Sequence, residues 1–254
     1  MYRNIFDTHA HYDDSRFDED RTELLSSLLN GTVSGIINCG CDLKSSLETV
    51  TLTEKYPHLY GAIGVHPHEA EETTDEDLEK IKELYRHEKV IAVGEIGLDY
   101  FYDFSPREKQ IELFRKQIIT ANELDLPVII HDRDAHEDTM NTLKELKPKG
   151  VVHCFSGSAE MAKEILRLGL YIGIGGAVTF KNARKPVEVV EILPLDRLLL
   201  ETDAPYMTPV PFRGKRCDSS HIAYTAEKIA EIKGIGVQEI IDRCNENAKA
   251  LFGI

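Results

Sequence analysis

The sequence predicts an α/β protein folded as a (β/α)8 TIM barrel, and three observations point there. Short β-branched or apolar runs recur eight times along 254 residues, about thirty residues apart. Helix-period stretches lie between them. Metal-binding side chains stand at the ends of several runs, where barrel enzymes carry their chemistry.

The runs are Asn4 to Thr8, Val33 to Cys39, Leu59 to Val65, Val90 to Ile96, Pro127 to His131, Gly150 to Phe155, Leu170 to Gly175 and Leu198 to Thr202. Asn30-Gly31 fits a helix stop before the second run. Asp75 reads as the N-cap of a helix carrying Leu78, Ile81, Leu84 and Tyr85. Ser105-Pro106 pairs a cap with a first-turn proline before Ile111, Phe114, Ile118 and Ala121. A doubly wound open sheet is the competing layout. No Gly-x-Gly-x-x-Gly follows the first run, and eight near-regular repeats favour closure. A 42% hydrophobic content can bury a large core, and no Pro-, Gly- or Ser-rich linker divides the chain. Residues 1–254 are therefore expected to form one domain.

Composition narrows the function. A formal charge of -14 argues against a protein that coats nucleic acid nonspecifically, so any polyanion must be bound locally. The acidic run from Glu71 to Asp77 fits a solvated helix start. Five cysteines, with no Cys-x-x-Cys, predict small residues at strand ends and neither disulfides nor ligands. The chain opens without a basic-then-apolar leader and holds no apolar run near the roughly 18 residues of a membrane span, so a cytoplasmic protein without membrane contact is expected. Nothing in the sequence specifies an obligate protein partner or an oligomeric state.

His9 and His11 are the most informative pair. Positions i and i+2 of a strand face the same side, so both imidazoles converge on one point. Glu95 ends the fourth run, His131 the fifth, His153 lies in the sixth and Asp203 closes the eighth. One such histidine in a core needs no explanation beyond a satisfied hydrogen bond. Six candidate ligands in phase at C-terminal strand ends point to a metal centre.

These residues also carry a resemblance. Phe6-Asp7-Thr8-His9-Ala10-His11, Gly64-Val65-His66-Pro67-His68, Gly94-Glu95-Ile96-Gly97-Leu98-Asp99-Tyr100, Val152-His153-Cys154-Phe155-Ser156-Gly157, Glu201-Thr202-Asp203-Ala204-Pro205-Tyr206 and Pro211-Phe212-Arg213-Gly214-Lys215-Arg216 occur in the order of the TatD-related metal-dependent hydrolases of the amidohydrolase superfamily. The chain resembles that family over essentially its whole length. The resemblance implies a metallo-dependent hydrolase barrel, a divalent metal centre and deoxyribonuclease activity of the 3'-to-5' exonuclease or abasic-site type. Such relatives carry Asn directly after Lys-Arg, where this chain has Cys217-Asp218, a departure at the expected substrate rim.

Two divalent ions fit the residues, one held by His9, His11 and Asp203, a second by His131 and His153, with Glu95 bridging. Two ions and two carboxylates leave the centre positive, a match for a phosphodiester. Asp203 is the expected general base and Glu95 the second catalytic carboxylate. Four imidazoles suit Zn, Mn, Fe or Co, while the resemblance implies Mg. Phosphate sites of barrels often lie after strands seven and eight, where Lys181, Asn182, Arg184 and Lys185, then Arg213, Lys215 and Arg216 make a small basic rim. Lys181, Arg184 and Arg213 are expected substrate contacts. His66 and His68 either touch phosphate or support the ligands, and Asp99 and Tyr100 are expected to orient the fourth loop. DNA is the expected substrate. The competing readings are an ester or amide hydrolase, such as a D-aminoacyl-tRNA deacylase, and a binding protein with a degenerate site.

Overall fold

The sheet strands are β1 Ile5–Ala10, β2 Val33–Cys39, β3 Leu59–Ile63, β4 Val90–Asp99, β5 Val128–Arg133, β6 Gly150–Val152, β7 Tyr171–Ile174 and β8 Leu198–Leu200. The structure, a computed structural model, describes residues 2–254. All neighbouring pairs are parallel and the spatial order follows the chain. An isolated bridge joins Ala10 to Ala204, the Asp203 N–H donates to the His9 carbonyl at 2.9 Å, and the His11 N–H donates to the Ala204 carbonyl at 2.7 Å. The ring is thus nearly closed, and its last seam runs through the residues that carry His9, His11 and Asp203. The expected barrel is what the chain forms.

Between the strands lie α1 Arg21–Leu29, α2 Leu43–Lys55, α3 Asp75–Leu84, α4 Arg107–Leu124, α5 His136–Leu146, α6 Ala159–Arg167, α7 Arg184–Ile192 and α8 Ile222–Lys233, with α9 Val237–Phe252 added at the end. One buried cluster takes Phe6, Ile37, Ala62, Ile129, Val151 and Leu199 from strands around the ring. It includes nothing from α1 to α8, so it is the barrel interior. Phe252 and Ala248 of α9 join it, and Asn247 of α9 donates to the Leu195 and Leu198 carbonyls. The larger cluster packs strands such as β2 and β7 against the outer helices. No helix among the described residues is long and apolar enough to cross a membrane.

Several boundaries differ from expectation for local reasons. Thr74, not Asp75, caps α3, because Thr74 and Asp77 satisfy each other's backbone N–H groups reciprocally. Pro106 takes the cap position of α4, so the first helical residue is Arg107. Ser105 does other work, donating to the His68 carbonyl at 2.8 Å and accepting the Glu71 N–H at 3.1 Å, which ties the β3 loop to the β4 loop. Strand β3 stops at Ile63, and β4 runs on to Asp99. Strand β6 ends at Val152, so His153 follows it instead of lying inside.

Candidate metal centre

Glu95 is the hub of the C-terminal mouth. Its Oε2 lies 3.3 Å from His9 Nε2 and 3.6 Å from His11 Nε2. Its Oε1 lies 2.7 Å from His153 Nε2, 2.8 Å from His131 Nδ1 and 3.6 Å from His66 Nε2. Asp203 Oδ1 stands 3.4 Å from His11 Nε2 and 3.8 Å from His9 Nε2. One carboxylate therefore faces two donor groups, one with each oxygen. Donor atoms close enough to share an ion occur in His9-His11-Asp203, His9-Glu95-His153, His66-Glu95-His131 and His11-Cys41-Glu95.

The backbone aims these side chains and neighbours fix their rings. His11 Nδ1 is 2.8 Å from the Cys39 carbonyl, which only an N–H can satisfy, so Nε2 keeps its lone pair for the centre. His131 Nε2 is 3.2 Å from Asp99 Oδ2, which leaves Nδ1 facing inward. His66 is set the other way. Its Nδ1 accepts the His68 N–H at 3.2 Å, so a neutral ring carries its proton on Nε2 and presents a donor to the centre. His9 and His153 stack with ring centroids 3.9 Å apart. Among the described residues His153 Nδ1 is buried with no partner. Asp7 lies beneath, accepting from the His9 and Thr202 backbones and from the Thr202 and Ser219 hydroxyls.

The electrostatics suit cation binding. Burial alone would raise the Glu95 carboxyl, but His153, His9, His66 and His131 hold it well below the usual range. Burial and the neighbouring His153 push His9 down to about 4. Burial opposes charge on His131 too, yet hydrogen bonds to Asp99 and Glu95 lift it to about 9. Such protons are what a divalent cation displaces when it binds. Four imidazoles and two carboxylates, mostly buried and oriented from behind, fit a divalent cation of the Zn or Mn type. Asp203 has the most exposed side chain of the six, at 22% against 4% for Glu95 and His153, so it faces the entrance.

The remaining residues sort by position. His66 reaches the centre, while His68 Nε2 bonds Asp99 Oδ2 at 2.9 Å and stands one layer out. Arg184 pairs with Glu188 along α7, and the Arg213 guanidinium lies 4.0 Å over the Phe180 ring, joining the β7 and β8 loops. Lys181 is exposed beside them. Arg216 is neutralised, held by both oxygens of Asp20, so it does not belong to a free basic rim. The Cys217-Asp218 departure is structural: Cys217 is buried and Asp218 caps the turn Ser219–His221. Cys39 and Cys41 are nearer the centre than expected, with Sγ atoms 3.4 Å from His9 Nδ1 and 3.9 Å from His11 Nδ1. Sequence reading also passed over Asp7 and Arg133. No spacing marks Asp7: it pairs with Ile36 on the outer face of β1, and an irregularity between Asp7 and Ala10 breaks the alternation that would relate it to His9.

A nearly closed parallel barrel with this donor set at its C-terminal mouth defines a metal-dependent hydrolase. The chain belongs to the TatD related DNase family, whose model matches residues 6–253. The metal-dependent hydrolase YabD of Bacillus subtilis, itself uncharacterized, is 49% identical over 253 residues, covering 98% of this chain and 99% of its own. The 3'-5' ssDNA/RNA exonuclease TatD of Escherichia fergusonii is 35% identical over 261 residues, covering 98% and 99%. Among solved structures, the TatD homologue YjjV of Escherichia coli superposes with a TM-score of 0.93 at 36% identity, covering the whole of both chains.

Proposed function

We propose that this enzyme hydrolyses phosphodiester bonds of single-stranded nucleic acid, DNA first, using two divalent cations, Zn, Mg or Mn, held by His9, His11, Asp203, His131 and His153 with Glu95 between them. The observation that carries the reading is Glu95, whose two oxygens face two separate donor groups. When bound, divalent cations supply Lewis-acid polarisation of the phosphoryl oxygens and acidify the attacking water.

The chain's own groups do the rest. Burial opposes charge on Asp203, but the neighbouring His11, His9 and His153 rings keep the carboxyl below its usual range. It is therefore an anion at neutral pH and, facing the entrance, is placed to orient water and take its proton. His66, neutral because burial lowers it well below the ordinary histidine value, offers its Nε2 proton to a phosphate oxygen. Lys181 and Arg213 on the β7 and β8 loops add outer phosphate contacts, joined by Arg184 at the start of α7 when phosphate displaces its Glu188 partner.

The test is release of nucleotides from end-labelled single-stranded DNA by metal-stripped protein resupplied separately with Mg, Mn and Zn. Metal-dependent release by wild type is expected, with Asp203→Asn slower by about a hundredfold or more while its bound metal is retained. Failure of every ion to restore release, although ions bind, overturns the phosphodiesterase reading and makes carboxyl esters such as D-aminoacyl-tRNA the next substrates to assay.

A further inference from the structure

The loop after β4 carries three exposed rings, Phe101, Tyr102 and Phe104, which are 56%, 46% and 65% accessible. Large exposed hydrophobic side chains elsewhere are aliphatic, except Tyr206 in the loop after β8. Every exposed aromatic of this kind thus sits on the mouth that holds Glu95, and none on the outer helices.

The three rings are organised. Tyr102 and Phe104 stack at 5.3 Å with planes 20-odd degrees from parallel, and Phe101 meets Tyr102 edge to face at 4.9 Å. The exposed guanidinium of Arg133, at the end of β5, lies 4.2 Å over Phe101 and 4.6 Å over Tyr102. Phe104 rests its edge on His68 at 4.8 Å, His68 bonds Asp99, and Asp99 bonds His131. Asp99 also accepts the Phe101 and Tyr102 backbone N–H groups. The aromatic loop is therefore fastened to the same carboxylate that orients His131, and it stands one ring beyond His68, whose centroid is 6.3 Å from that of His131. Tyr206 differs, since the Arg16 over its ring is already paired with Asp14 at 3.0 Å, and the same Asp14 takes the Tyr206 hydroxyl.

We infer that Phe101, Tyr102 and Phe104, with Arg133, form a stacking subsite for a nucleobase next to the cleaved phosphodiester. The inference rests on the nucleic-acid reading proposed above. Aromatic faces accept any base, and an arginine laid over them adds a cation for the backbone phosphate, the combination that single-stranded nucleic-acid sites use. Charge complementarity favours this occupant: in a chain of net charge -14, this aromatic patch carries an arginine and opens toward a centre built for cations.

The experiment compares binding, by fluorescence anisotropy, of a short labelled single-stranded oligodeoxynucleotide and of an abasic oligomer with the same phosphates. The protein is metal-loaded and carries Asp203→Asn to stop turnover. Tighter binding of the base-bearing oligomer is expected, by roughly tenfold or more, and the triple substitution Phe101→Leu/Tyr102→Leu/Phe104→Leu should erase that preference because it keeps apolar volume while removing the ring faces. The rings are exposed, so folding should be unaffected, and circular dichroism checks this. No preference in the parent protein, or a preference that survives the triple substitution, overturns the subsite. So does a dimer, seen by sedimentation, that the substitutions dissolve while leaving the preference intact. Hydrolysis of bis(p-nitrophenyl) phosphate by wild type, run alongside, reports on the phosphodiesterase reading separately from the subsite.

Discussion

Asp99 Oδ2 lies 3.2 Å from His131 Nε2, on the side of the imidazole turned away from Glu95. Burial would push this carboxyl up, but its bonds with His131, the Tyr102 backbone and His68 hold it far below the usual range. It is a fixed anion that accepts a ring proton and so leaves Nδ1 free to face the centre. Asp99→Asn keeps an acceptor for the Phe101 and Tyr102 N–H groups but turns an N–H2 toward two ring donors. Metal affinity should fall by about ten- to a hundredfold with the fold intact. Titration calorimetry with Zn or Mn checks it, and unchanged affinity sinks the orienting role.

Glu95 makes a sharper prediction because its oxygens serve both donor groups. With the two ions proposed above, Glu95→Ala should lower occupancy at both positions together, toward none. If the carboxylate served only one group, a single ion would be lost. Elemental analysis of the purified variant reads the count directly, and two retained ions would exclude the bridge.

The positions of these residues were legible in the sequence because strand ends, not contacts, determine them. His9, Glu95 and Asp203 each follow an apolar run, and parallel strands of one barrel deliver their ends to one mouth. Which nitrogen faces inward was not legible. It depends on partners distant in sequence, such as the Cys39 carbonyl for His11, and on a tautomer no spacing encodes. The fate of Arg216 was hidden likewise, since Asp20, which neutralises it, lies 196 residues away. Cap positions shifted at Thr74 and Pro106 because reciprocal bonds and a missing N–H outweigh residue preference.

The Asp218 and His221 pair predicts a pH dependence of stability. The hydrogen bond to Asp218 raises the His221 ring above its ordinary 6.5, so this contribution is fully present below 6.5 and lost as pH rises through the folded value. Burial works against the Asp218 charge, yet bonds from His221 and Ser220 bring it below 3.8, so its share is present above 3.8 and lost as pH falls through the folded value. The pair therefore stabilises most between about pH 4 and 6.5. Half-buried pairs of this kind contribute about 0.5 to 1 kcal/mol. Urea midpoints should favour wild type over His221→Gln near about pH 5.5, with the advantage shrinking near about pH 8.5. An advantage that grows with pH would reverse the assignment.

Gly97 couples the barrel wall to the centre. It pairs with His131 across β4 and β5, with φ at +149°, and a Cβ built there would lie 1.9 Å from the His131 carbonyl oxygen. Backbone cannot yield as a flexible side chain does, so Gly97→Ala must part the two strands or twist β4 out of a conformation that L residues avoid. Either movement shifts His131 and Asp99 together, since Leu98 and Asp99 continue the same pairing with Asp132 and Arg133. Destabilisation of at least about 3 kcal/mol is expected, together with weaker metal binding in whatever protein remains folded. A Gly97→Ala protein of wild-type melting temperature and metal affinity would show that the β4 to β5 register does not hold the centre in place.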